Sequence, residues 1–429
     1  MELYAAFKAQ STINFSNMKN FKLGEETEFT VYVDPKDFAN ETFTIDADIG
    51  IYNSETKTYD PITYDENNYI KVFVNNEWKE FKDISITLNE NKEENAIKFK
   101  ILLTDKVASD SPFYIPYTFK QNGKATFNSK GGSYRALAQE DIVAEFNGGY
   151  YGVTQLSTLT FRIGEIKLAQ DVTLEKPLAF TSSDLIINLN GNTIDAIDGQ
   201  TPILVNGEGA NITIKNGKLV AKGGYAAIQV GKDSTKLYNT HLTIENDVQI
   251  TGENYAISVF GKGTVLDFKG KIEVSGNEAY GISGNATRQG QYTVVNVHEG
   301  ATITANNGFA FYLPQNGELN VLGGNLTANT VIGVKSGKIN VSGGTLTATG
   351  EKVAPTQNGN GINVTGDVIY AEVNDAYEKN IEINVTGGTL TSTNGNIIQA
   401  FKSNSIDDIT VNGYSATVDE SNSNIITYN

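Results

Sequence analysis

The chain has 429 residues, 42 of them glycine and none cysteine, and its 33 basic and 50 acidic residues leave a net charge of −17. Without cysteine there is no disulfide scaffold, thiol nucleophile or thiolate metal site, and two histidines, His241 and His298, are too few for a multi-histidine zinc centre. The acidic balance lacks the basic stripe that nucleic acid requires, no apolar run is long enough to span a bilayer, and no metal or cofactor is expected.

The composition divides the chain in two. Residues 1–120 hold only Gly24 and Gly50 but 20 of the 42 aromatics; the other 40 glycines lie beyond. Met1-Glu2-Leu3-Tyr4 shows neither a basic nor an apolar leader region, so no signal peptide is expected. Apolar residues then alternate with polar ones at Phe29/Val31/Val33, Phe43/Ile45/Ala47/Ile49, Ile97/Phe99/Ile101/Leu103 and Phe113/Ile115/Tyr117/Phe119. Period-two patterning of this kind marks strands with one face on a core. With Tyr69–Val74 and Ile84–Leu88 it predicts an Ig-like β-sandwich over 1–120, with Trp78 as a core or edge residue. Residues 121–164 read as a connector, because Asn122-Gly123, Gly131-Gly132 and Gly148-Gly149 are turn signals. Within it Tyr134–Phe146 is the one helix candidate, N-capped by Ser133, and is expected to cover the first coil of the repetitive C-terminal part.

From about residue 165 to 429 the chain repeats. The unit is an apolar–x–apolar strand, a glycine turn, and two further short strands. Its cleanest copies are Leu319-Asn320-Val321 with Gly323-Gly324-Asn325-Leu326-Thr327, Ile339-Asn340-Val341 with Gly343-Gly344-Thr345-Leu346-Thr347, and Ile383-Asn384-Val385 with Gly387-Gly388-Thr389-Leu390-Thr391. First-turn positions at 191, 217, 247, 270, 300, 323, 343, 387 and 413 give about nine coils of a β-solenoid. The 44-residue step from 343 to 387 contains an extra segment, 351–379, expected to be either a binding loop or a flap folded over the rod.

The stretch Gly164–Leu178 followed by Ile187–Ile194 resembles the opening coils of right-handed parallel β-helix proteins of the pectate-lyase-like superfold, including bacterial surface and phage virion proteins whose solenoids repeat "GGTLT". The resemblance covers 165–429 and implies a right-handed parallel β-helix there; with the sandwich read from its alternation, the chain is expected to be all-β. It leaves function open, since lyases, hydrolases, tailspikes and adhesins share the superfold. Family lyases use clustered carboxylates with an Arg or Lys base. Here the three arginines are Arg135, Arg162 and Arg288, and only Arg288 falls in the solenoid, with no acidic cluster beside it in sequence. Asp407-Asp408 are neighbours that a strand would point to opposite faces. Asp195 and Asp198 read as turn residues, and His241 and His298 as separate surface residues.

One pattern recurs at a fixed coil position. Tyr225, Tyr255, Tyr280 and Phe309 each open a third strand, and their spacing follows the coil. They are expected to stack, either as an internal ladder or as a strip for sugar rings. The sequence therefore points to a non-enzymatic structural or binding protein on the surface of a bacteriophage particle, a head fibre, decoration or tail-associated protein. Its sandwich would dock to other virion proteins and its β-helix would contact surface polysaccharide, with a homotrimer as one possible assembly. A secreted or cell-surface bacterial adhesin is the second reading, and a polysaccharide depolymerase the third.

Overall fold

A computed structural model describes residues 10–15, 18–53, 55–104, 106–158, 160, 162–223, 225–231, 237–284, 292–359, 361–374, 377, 380–402 and 409–429, with backbone alone for 127–133. Arg288 and Asp407-Asp408 lie outside the described residues. The chain forms two compact units, Met1–Gly152 and Val153–Asn429.

The first unit is a β-sandwich. One sheet orders Thr12–Asn14, Thr27–Asp34, Ala96–Leu102, Tyr69–Val74 and Glu77–Glu80. The other orders Phe21–Lys22, Lys124–Leu137, Pro112–Gln121, Thr42–Ala47 and Ile84–Thr87, with a hairpin of Gly50–Asn53 and Thr58–Pro61 at its side. The alternating residues of both sheets meet in one core. Val31, Phe99 and Ile101 from the first sheet and Phe43, Ile45, Phe113 and Phe119 from the second are all buried there. Trp78 is an edge residue, paired across strands with Phe73 and overlain by Lys100, whose Nζ is 4.7 Å from the ring centroid.

The connector expected over 121–164 is largely part of this sandwich. Asn122 and Gly123 have φ of 55° and 75°, so the pair forms a tight hairpin turn rather than a linker. The chain reverses there into Lys124–Leu137, which pairs antiparallel with Pro112–Gln121. The helix expected over Tyr134–Phe146 is absent for that reason. Tyr134 lies in the strand, its ring 6.4 Å from that of Phe15 and 6.0 Å from that of Phe113. Core burial and ladder hydrogen bonds override the local helical preference. A 3-10 turn, Gln139–Asp141, and a hairpin of Ala144–Phe146 with Gly149–Tyr151 complete the unit.

The second unit is a parallel β-helix. After one helical turn, Val153–Leu156, the chain winds so that each coil contributes to three columns of stacked strands. The first column is Ile163–Leu168, Asp184–Asn188, Asn211–Lys215, His241–Ile244, Lys262–Phe268, Tyr292–Val297, Gly317–Val321, Gly337–Val341, Ile381–Val385 and Ile409–Asn412. The nine repeats thus stand on one further rung, Ile163–Leu168. At about 4.8 Å per rung the column is about 45 Å long.

Register explains why the repeat tolerates uneven spacing. Ile187, Ile214, Ile244, Phe268, Val297, Val321, Val341 and Val385 pair one above the next, an unbroken inward apolar rank. Each fully buried aliphatic in such a rank stabilises the stack by about 1.5–3 kcal/mol before ordering costs. Length differences are absorbed in the turns. Where the turns themselves stack, glycine is needed twice. Gly344 has φ of 86°, and a Cβ on Gly343 would stand 2.3 Å from the Leu322 carbonyl oxygen of the coil below. The Gly323-Gly324, Gly343-Gly344 and Gly387-Gly388 pairs are therefore coil corners, one residue for the turn and one for backbone approach. At the C-terminal end the third column closes differently: Ile425–Tyr428 pairs antiparallel with Ile398–Lys402 and with Ala416–Val418.

Candidate functional site

The aromatic rank and the inserted segment meet. Tyr255 pairs with Tyr280 and Tyr280 with Phe309 in the third column, so each ring stands over the next. Their centroids are 5.2 and 5.8 Å apart and their planes within 8° of parallel. Tyr225 is different. Ile228 pairs with Ile257, which sets Tyr225 opposite residue 254 rather than Tyr255. It is one residue out of register and half exposed in the turn before its strand; among the described residues it makes no ring stack with Tyr255. Its spacing follows the coil period, but its register does not.

Exposure is graded along the stack. Tyr255 and Tyr280 are partly buried, whereas Phe309 is buried. Phe309 belongs to a side cluster with Tyr370, Phe401 and Ile425, roofed by Ile362 of the inserted segment and flanked by Tyr280, Tyr312 and Val364. Ile369–Val373 is itself a rung of the third column, paired parallel with Asn325–Val334 and Ile398–Lys402, so only the part of the segment before it, up to Gly366, is a flap over one side of the rod. Two devices pin it. The Thr330 hydroxyl, directly above Phe309 in register, accepts from the backbone N–H of Thr365 and of Gly366 at 2.9 and 3.1 Å. Deeper, Lys335 and Glu372 form an ion pair of 2.9 Å with both side chains fully buried. Lys335 Nζ also donates to the Asn358 carbonyl at 2.5 Å and lies 4.6 Å from the Tyr377 ring centroid. Glu372 Oε1 accepts the Asn358 N–H at 3.1 Å. Burial pushes the Lys335 ammonium below its ordinary range, and Glu372 only partly restores it.

Between the edge of the stack and the flap lies a cleft of about 410 Å³. Tyr280 and Phe309 floor it. Asn277, Glu278 and Asn307 form one wall, and Asn358 and Asn363 of the flap the other. The flap wall is held rigid by Asn358 Nδ2 donating to Asn363 Oδ1 at 2.9 Å and by Asn363 Nδ2 donating to Thr356 Oγ1 at 2.7 Å. Burial, helped by Tyr255 and Glu278, pushes the Tyr280 hydroxyl up to about 12, so it stays protonated and able to donate. The stacked rings cover one another's faces. What they offer the cleft is ring edges and the one hydroxyl of Tyr280, and the amides and Glu278 supply directional hydrogen bonds. Of this cleft the sequence pointed to Tyr280, Phe309 and the inserted segment. The walls at Asn277, Glu278 and Asn307 carry no signal beyond turn composition.

The two histidines are not separate. His241 Nε2 lies 2.5 Å from Asp267 Oδ2 and His298 Nε2 lies 3.0 Å from Oδ1. Asp267 also ends a chain of asparagines in the first column. Asn412, Asn384, Asn340 and Asn320 each donate Nδ2 to the Oδ1 of the asparagine one rung earlier, and Asn296 Nδ2 donates to Asp267. Burial works to raise the Asp267 carboxyl, but the bonds from His298, Asn296 and His241 outweigh it and hold the carboxyl below its ordinary value. Among the described residues no group of His, Asp and Glu has the arrangement of a metal centre.

The remaining charged candidates are engaged elsewhere. Arg135 pairs with Asp110 at 3.0 Å in the sandwich, and Asp195, which lies in the strand Thr193–Ala196 rather than in a turn, pairs with Lys222 at 2.6 Å. Arg162 immediately precedes the first rung, Ile163–Leu168, and gives its carbonyl to the Asp184 N–H. No helix of the described residues is long and apolar enough to cross a membrane. Comparison with protein families, with curated proteins and with solved structures found no match.

Proposed function

We propose that the chain is a non-enzymatic binding protein that presents a parallel β-helix to surface polysaccharide, working as a structural component of a bacteriophage particle. The observation that carries the reading is the cleft of about 410 Å³ where the Tyr280–Phe309 floor meets the flap, walled by side-chain amides and one carboxylate. Its volume falls in the range of small-ligand sites. Its walls offer the mixed donors and acceptors that sugar hydroxyls match. A buried ion pair and two threonine-held backbone bonds fix the flap in place, and fixed walls lower the ordering cost of binding. The solenoid is read as right-handed and of pectate-lyase-like type on its opening coils, Gly164–Leu178 and Ile187–Ile194. The sandwich serves as the docking unit, which suits its charged, strand-rich surface.

The test has two parts on the full chain. Antibody raised against residues 165–429 is applied to purified phage particles and to bacterial envelopes, and the chain is incubated with host surface polysaccharide. Label on particles, with polysaccharide retained and no new reducing or unsaturated ends, is the expected outcome. Label confined to envelopes would replace the virion reading with a bacterial adhesin. Release of new chain ends would make the protein a depolymerase.

A further inference from the structure

Resting on the glycan reading of the cleft, we infer that its ligand is a neutral polysaccharide rather than one bearing carboxylates or sulfates. Among the described residues the cleft lining contains no lysine or arginine; its polar side chains are the amides of Asn277, Asn307, Asn358 and Asn363, the carboxylate of Glu278 and the hydroxyl of Tyr280. An anionic sugar is held by charge-assisted bonds from a cation, with guanidinium the best geometric partner. Here it would meet a carboxylate instead. Asn277, Glu278 and Asn307 are exposed, so their groups face an incoming chain rather than the core.

The same set is well matched to a neutral sugar. A hydroxyl both donates and accepts, an amide supplies one function on each atom, and an ionised carboxylate accepts from two hydroxyls at once. Glu278 and Tyr280 both line the cleft, and burial together with the charge of Glu278 keeps the Tyr280 hydroxyl protonated, so the cleft holds both an acceptor and a donor. The buried cation behind the flap wall, Lys335, cannot substitute for a surface cation. It is fully buried and bonded to Glu372 and to the Asn358 carbonyl. At longer range the net charge of −17 disfavours approach of polyanions.

The experiment measures binding of the immobilised full chain to dextran, mannan and xylan as neutral polymers and to polygalacturonate and hyaluronate as acidic ones. The wild type is compared with Asn277→Ala, Asn307→Ala and Glu278→Lys. The wild type should bind at least one neutral polymer about tenfold or more tightly than either acidic one. Each alanine variant should weaken that binding by about tenfold, Asn277→Ala with an unchanged melting temperature because its side chain is exposed, and Asn307→Ala with a small loss because Asn307 has φ of 66°. Glu278→Lys should narrow or invert the preference. Wild-type binding of an acidic polymer that the alanine variants abolish would overturn this inference and leave the glycan site standing. Neutral binding untouched by all three variants would overturn the assignment of the cleft. Retention of none of the five polymers would overturn the glycan reading itself.

Discussion

Lys335 is the residue on which the flap depends most. Its ammonium sits in a fully buried ion pair with Glu372, and Glu372 Oε2 has no hydrogen-bond partner among the described residues. Removing one partner of such a pair strands the other charge in a low-dielectric site, which costs about 3–5 kcal/mol, whereas replacing both by apolar groups is often neutral. Lys335→Met should therefore lower the melting temperature of the solenoid sharply and loosen the flap, from residue 351 up to Gly366, to protease. Lys335→Met with Glu372→Leu should recover most of the loss. Calorimetry on the two variants checks this; equal damage in both would mean that the pair acts through shape rather than charge. Asp367 is the second buried carboxyl of the same strand region. Burial raises it above its ordinary value against bonds from Thr365 and Asn396, so it favours folding at low pH and opposes it as pH rises. Neither residue could be found from sequence, because both are buried by an insertion whose path no local pattern encodes.

At the scale of an element, the asparagine rank is the feature with a direction. Five amides, Asn412 to Asn296, donate the same way along the rungs and end on the Asp267 carboxylate, which the two histidines flank. Aligned hydrogen bonds polarise one another, and a negative charge at the acceptor end strengthens the series. Because the Asp267 carboxyl is held below its ordinary 3.8, its contribution is present in full above that pH and is lost as pH falls below it. Asp267→Asn should reduce stability near neutral pH by about 1–2 kcal/mol, the scale of charge-assisted bonds at a partly exposed site. It should also flatten the fall of melting temperature between pH 4 and 2, about the range in which an aspartate titrates. An unchanged acid limb would show that the hydrogen-bonded cluster is incidental. The rank was half legible. Asn320, Asn340 and Asn384 sit at the middle of visibly repeated tripeptides, and extending their register backward reaches Asn296 and Asp267. The histidines were not legible as a pair, since His298 and His241 lie 31 and 26 residues from Asp267 in sequence and meet it only through coil stacking.

For the whole molecule, the composition break at about residue 120 marked a real change of material but misplaced its edge. The compact unit continues to Gly152. Asn122-Gly123 acts as a hairpin turn, and a turn signal alone does not say whether the chain leaves a sheet or re-enters it. Strand existence, coil count and corner glycines were legible because a solenoid repeats one local solution, so every copy reports on the others. The aromatic rank was legible in period and failed only at Tyr225, where one residue of register separates a stacked ring from an exposed one. The cleft was not legible as a site, because it exists only where that rank runs under the flap. Its role is tested most directly by a crystal structure of the full chain soaked with a short neutral oligosaccharide. Sugar density is expected in the cleft, with hydroxyls on Asn277, Glu278 and Asn307 and one ring edge against Tyr280. Density at another surface, or an empty cleft at saturating ligand, would contradict a glycan-binding role for it.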